Sequence, residues 1–275
     1  MRYTMQSIKY VCRNFIYLFP LALMPAFFLS LSTDGESIYC AIETLFSGTI
    51  DEFHFSHLFR AISVLNFSSW KSTIFGVVAI ILLILCVAMI MALLDKHMRI
   101  GKRTYNGLFS KINDNLVSTS GYGLLLIVIY ELWALILSAF LYFFAQIPTT
   151  GFAYVLSGVF YLIMDIMLIY LIGLIYLWLP CMQITGFRSF EALRYSYHLV
   201  SSVKWSILLG QLFFLLLGEV VICLCAFFIS DFIVFTAITT VLYAVLIMVY
   251  CVRMMVAYFD RDQIERADLK RYYQR

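Results

Sequence analysis

Apolar residues fall in six long runs, with polar segments between them: 15–31, 72–94, 123–145, 152–179, 205–229 and 232–252. A hydrocarbon core of about 30 Å needs roughly 20 helical residues at about 1.5 Å each. Lipid offers no partner to a bare peptide group, so each run is expected to close its hydrogen bonds as a helix. The pattern predicts an all-α polytopic membrane protein, its six transmembrane helices arranged as three hairpins. Pro20 and Pro25 predict a kink in the first run because each removes a backbone donor. The length of the fourth predicts tilt. Arg2, Lys9 and Arg13 ahead of the first run look like a signal-peptide leader, but Ser30-Leu31-Ser32 is a poor cleavage site, and an uncleaved span is expected.

The polar segments carry their own pattern. Residues 7–14, 108–115 and 195–202 alternate apolar and polar positions at helical spacing just before the first, third and fifth runs. Short amphipathic helices lying in the bilayer interface are expected there. A threefold repeat fits this arrangement, as it fits any six-span chain with three hairpins. The segment 32–71 is far longer than the other loops on its side. Ile38, Ile42, Leu45 and Phe46 predict small helices resting on the outer bilayer surface. Residues 1–256 form the membrane domain on this reading. The tail 257–275 mixes both signs of charge, and Asp262, Arg266 and Lys270, each four apart, predict a solvated helix.

Composition excludes a water-soluble fold. The chain is 63% hydrophobic and 13% charged, against about 45–50% and about 25% for soluble domains. Charge placement orients the spans. Of 19 Lys and Arg residues, 17 fall before the first span, in the loops after the second and fourth, or from Arg253 onward; Arg60 and Lys71 are the two exceptions. The positive-inside rule then places both termini in the cytoplasm of a cell carrying this multi-pass protein in its plasma membrane. Seven cysteines lie within spans or near their ends, except Cys40 in the outer loop, so no disulfide framework is expected.

Candidate chemistry rests on Glu131, Asp165 and Glu219, each close to the centre of its run. A charged carboxylate there costs about 2.5–3.5 kcal/mol on insertion scales. No Lys, Arg or His lies within the third, fourth or fifth run to pair with them. Three such groups facing one interior would bind a cation or relay protons. Gln211, two turns before Glu219, shares its face, and Tyr130 and Tyr161 add hydroxyls. The alternative is that each acid is a hydrogen-bonded joint between neighbouring helices.

Other polar groups have plainer readings. His54 and His57, near Asp51 and Glu52, have a spacing that zinc can use, but their aromatic neighbours favour an ordinary surface segment. His97 and His198 stand among charges and are expected to be solvated. The basic run 95–103 suits anionic lipid but is explained as a topology determinant. No zinc-protease, nucleophile-elbow, phosphate-loop or dinucleotide motif occurs. An intramembrane aspartyl protease needs two aspartates, and the spans hold only Asp165. No enzyme activity, cofactor, metal or nucleic-acid partner is expected; the lipid bilayer is the obligatory partner.

The segment Phe187-Arg188-Ser189-Phe190-Glu191-Ala192-Leu193-Arg194-Tyr195-Ser196, leading into a short polar helix and a new span, resembles a known pattern. So does Ala257-Tyr258-Phe259-Asp260, where the last span meets the tail. Both are similar to the six-span membrane domain attached to some glycerophosphodiester phosphodiesterases and to its stand-alone bacterial relatives. The resemblance covers the hairpin pattern of the whole chain and implies a bacterial plasma-membrane protein. It implies no phosphodiesterase activity, because no hydrolase domain is attached. The functional expectation is therefore transport, or a non-catalytic permease-like subunit whose partner ATPase or other membrane subunit grips residues 188–202. The rival is a scaffold or regulator acting through its cytoplasmic loops. The two differ over whether the three acids converge.

Overall fold

The computed structural model describes residues 2–47, 54–65, 70–103, 105, 108–147, 150–201 and 203–269. Among them there is no strand, and six helical stretches are long and apolar enough to cross a membrane: Phe15–Ser32, Trp70–Ile100, Asn115–Ala145, Gly151–Thr185, Lys204–Phe228 and Phe232–Arg261. The helices are α1 Arg2–Arg13, α2 Phe15–Ser32, α3 Gly35–Ser47, α4 Phe55–Ile62, α5 Trp70–Ile100, α6 Leu108–Ala145, α7 Thr150–Leu174, α8 Trp178–Thr185, α9 Ser189–Ser201, α10 Lys204–Phe228 and α11 Phe232–Arg261. A 3-10 turn, Ala267–Leu269, follows.

The long helices close into a ring in the order α2, α5, α6, α7, α10, α11 and back to α2, with α5 also touching α11 across it. The last span thus packs beside the first. Polar side chains join them: Ser30 Oγ donates to the Thr236 carbonyl at 2.8 Å, and Thr33 meets the Tyr243 hydroxyl at 2.9 Å. Such small hydroxyl residues let helices approach closely in lipid. The amphipathic α1 lies across α11 at the end that holds both termini, tied there by the Tyr3 hydroxyl donating to Asp260 at 2.7 Å. Below, this is the terminal end.

The helix α2 is continuous through Pro20 and Pro25, and the chain turns ahead of it at Asn14, whose side chain donates to the Tyr10 carbonyl at 2.9 Å. Three elements depart from the sequence reading. The fourth span is not one helix. Residues 175–177 form turns between α7 and α8, with Trp178 N–H bonding back to the Ile175 carbonyl at 3.0 Å. Pro180 sits in the first turn of α8, where its missing N–H costs nothing. Residues 108–115 are no separate interfacial helix but the start of the 38-residue α6.

The tail is the third departure. The helix α11 continues through Arg253 to Arg261, burying Tyr258 and Phe259 completely, and Gln263 (φ 52°) turns the chain back. Arg266 pairs with Asp268 at 2.8 Å, not with Asp262, and Lys270 lies outside the described residues. The tail packs on α5 because the apolar side chains on either side of Arg253 have a core to enter.

Candidate functional site

In the 32–71 segment, α3 and α4 are built into the bundle and do not merely rest on it. Its α3 packs Ile38 against Ala226 of α10 and Phe235 of α11, while Phe59 and Ile62 of α4 pack on Trp133, Met164 and neighbours from α6 and α7. Past the end of α4 at Ile62 the chain is no longer helical, and the Val64 and Leu65 N–H groups need acceptors. Glu131 supplies them. Its Oε1 accepts the Val64 and Leu65 N–H groups at 3.0 and 3.1 Å, and its Oε2 accepts the Ser63 hydroxyl at 2.7 Å. Tyr130 next to it donates to the Ile62 carbonyl at 2.9 Å. Glu131 therefore holds residues 63–65 in place, with both oxygens occupied.

Asp165 and Glu219 stand differently. Asp165 is fully buried in α7, and neither carboxyl oxygen has a hydrogen-bond partner. Glu219 of α10 is half-buried, lies within electrostatic reach of Asp165, and forms a side-chain hydrogen bond with Tyr161. All three acids lie within electrostatic reach of the Tyr130 hydroxyl, as does Tyr243 of α11. The fold thus brings the three acids around one tyrosine, and the outer segment takes up one of them. Gln211 is buried further toward the terminal end, with its amide oxygen 3.9 Å from the point where a Cβ on Gly173 would stand. Neither of its amide atoms has a partner.

The remaining polar predictions resolve simply. His54 and His57 are exposed with ring centroids 6.0 Å apart, and Asp51 and Glu52 lie outside the described residues. Among the described residues no three His, Cys, Asp or Glu side chains gather as a metal site. His97 is not solvated. It is buried, bonded to the Tyr10 hydroxyl, and it accepts from Arg103 at 3.3 Å. His198 stays exposed on α9.

Sequence reasoning also missed two groups at the terminal end. Asp262 gathers the Tyr195 and Tyr258 hydroxyls at 2.5 and 2.7 Å, joining α9 to the foot of α11. That carboxylate pushes the Tyr195 phenol up to about 12. Arg253, counted from sequence as a topology charge, is 2% exposed inside the bundle. The six apolar residues that follow it, Met254 to Phe259, were the signal that the helix and the core continue past it. Comparison with family models, with curated proteins and with solved structures finds no match to this chain.

Proposed function

We propose that this chain serves transport across a cell membrane as a non-catalytic, permease-like protein, and that the Asp165–Glu219 pair is where a cation or proton is taken up. The observation that carries the reading is the pair itself: two acids on facing helices, one fully buried, with both Asp165 oxygens unbonded. In a low-dielectric interior two neighbouring carboxylates repel, and a cation or a shared proton relieves that repulsion. Such a pair has a resting state that a positive charge can change. Glu131 is assigned no part in uptake, because its oxygens already hold residues 63–65. Tyr161 and Tyr130 are the hydroxyls positioned to pass a proton to or from the pair.

Flux in vesicles tests this. The purified protein is reconstituted, an inside-negative potassium diffusion potential is imposed, and lumenal pH and sodium are followed. Wild type is expected to carry one of the two cations inward faster than protein-free vesicles. Asp165→Asn with Glu219→Gln should fall to the protein-free rate. A double variant that matches wild type, or a wild type that matches empty vesicles, overturns the assignment. As a permease-like subunit the chain would meet an ATPase or other membrane subunit at residues 188–202. Purification from native membrane without any such partner counts against that part.

A further inference from the structure

Arg253 lies inside the terminal end of the bundle. Its Nη2 donates to the Ser206 and Ile207 carbonyls of α10 at 3.2 and 2.6 Å, and its guanidinium carbon stands 5.9 Å from the centre of the Tyr176 ring. Among the described residues no carboxylate comes within ion-pair range of it, and its Nε is buried with no hydrogen bond. Three more polar side chains close by share that condition. The Thr4 hydroxyl, the Tyr176 hydroxyl and both amide atoms of Gln211 are buried and unbonded. All four residues are more than nine-tenths buried, at 2%, 8%, 0% and 6% exposure for Arg253, Thr4, Tyr176 and Gln211.

These groups come from separate parts of the chain. A Cβ on Gly210 would stand 2.6 Å from the Arg253 guanidinium carbon and 2.8 Å from Thr4 Oγ1, so the guanidinium and the hydroxyl flank one point of α10. Gln211, the next residue, points about 100° further round α10, its amide oxygen 3.9 Å from where a Cβ on Gly173 would stand, and Tyr176 enters from the break between α7 and α8. A buried charge is normally paired, and a buried donor is normally bonded. Here a cation and three neighbouring donor side chains are left over together, with no acid among them.

We propose that Arg253, Thr4, Tyr176 and Gln211 form a binding site for a phosphate oxyanion, supplied either by inorganic phosphate or by an anionic lipid headgroup. A phosphate has several acceptor oxygens, enough for four donor groups, and guanidinium pairs with it strongly. The helix α1 forms the outer wall. It is amphipathic, it carries Thr4, and the Tyr3–Asp260 hydrogen bond holds it on α11. This binding stands apart from the acid pair and does not rest on transport.

The test uses the full chain in an uncharged detergent. One arm titrates inorganic phosphate against chloride at equal ionic strength and follows the unfolding temperature. The other adds phosphatidylglycerol or phosphatidylcholine and reads retained lipid by native mass spectrometry. Wild type is expected to be stabilised by phosphate over chloride, which assigns a free anion, or to retain phosphatidylglycerol over phosphatidylcholine, which assigns a headgroup. Arg253→Met should abolish the preference, and Thr4→Val should weaken half-saturation about tenfold, the loss of one charge-assisted contact. If Arg253→Met does not fold, Thr4→Val and Gln211→Leu decide. No preference in either arm, or variants that bind as wild type does, overturns the site.

Discussion

Gly210 lacks a side chain where the Arg253 guanidinium needs the room, since a Cβ there would collide with the Nη2 and the central carbon of that group. The residue-scale prediction follows from comparing two glycines. Gly210→Ala should destabilise by about 1–3 kcal/mol, the usual cost of overpacking a closed site. Gly158→Ala, with nothing within 4 Å of its added Cβ, should be neutral or stabilising by up to about 1 kcal/mol. Thermal unfolding in detergent, reported by reaction of the buried Cys86, Cys181 and Cys251 thiols, distinguishes the two. A Gly210→Ala protein that melts with wild type would mean that the guanidinium has another place to go. At this scale the sequence was least legible. Arg253 and His97 are both polar residues at the edge of an apolar run, and the run's edge looks the same whether the chain there meets water or folds back. Their burial depends on the tail and α1 covering that end, which are contacts between distant parts of the chain.

Between helices the informative contact is that of Glu131 with residues 63–65. Three donors converge on one carboxylate, two of them the N–H groups of Val64 and Leu65 just past α4. Glu131→Ala leaves those two N–H groups without that acceptor, while the Ser63 hydroxyl still has the Leu65 carbonyl at 3.0 Å, and the expected loss at this half-buried site is about 1–3 kcal/mol. Glu131→Gln keeps one acceptor oxygen and should lose about half of that. Amide exchange over residues 55–65 should rise in the alanine variant well before exchange in α5 or α11 does. Uniform loosening across the chain would instead show that Glu131 supports the whole bundle. The six spans themselves were legible because lipid demands long unbroken apolar runs. The role of Glu131 was not, since no local pattern tells an acid that holds a distant segment from one that faces a cavity. The break at 175–177 was half visible. Pro180 announced it, but a proline near the end of an apolar run is equally compatible with a helix that simply stops.

Taken whole, the ring is uneven, and this explains why depth could not be counted from sequence. The 18-residue α2 and the 38-residue α6 share no common centre. Ser32, at the end of α2, donates to the Val64 carbonyl at 3.0 Å, and Val64 is held by Glu131, so an acid at the middle of α6 stands level with the end of α2. A residue's place along its own apolar run therefore does not by itself fix its level in the bundle. Charge alternation makes a different claim, about sides and not depths, and it can be tested on its own. Cys12 on α1 and Cys40 on α3 are both exposed, at opposite ends of the ring. An impermeant thiol reagent applied to intact cells should label Cys40, leaving Cys12 and a Tyr105→Cys variant unlabelled until the membrane is permeabilised. Labelling in the reverse order would turn the protein over. The phosphate site would then face outward and Asp165 and Glu219 would be approached from the cytoplasm, so the same side chains would have to take their ligands from the opposite compartments.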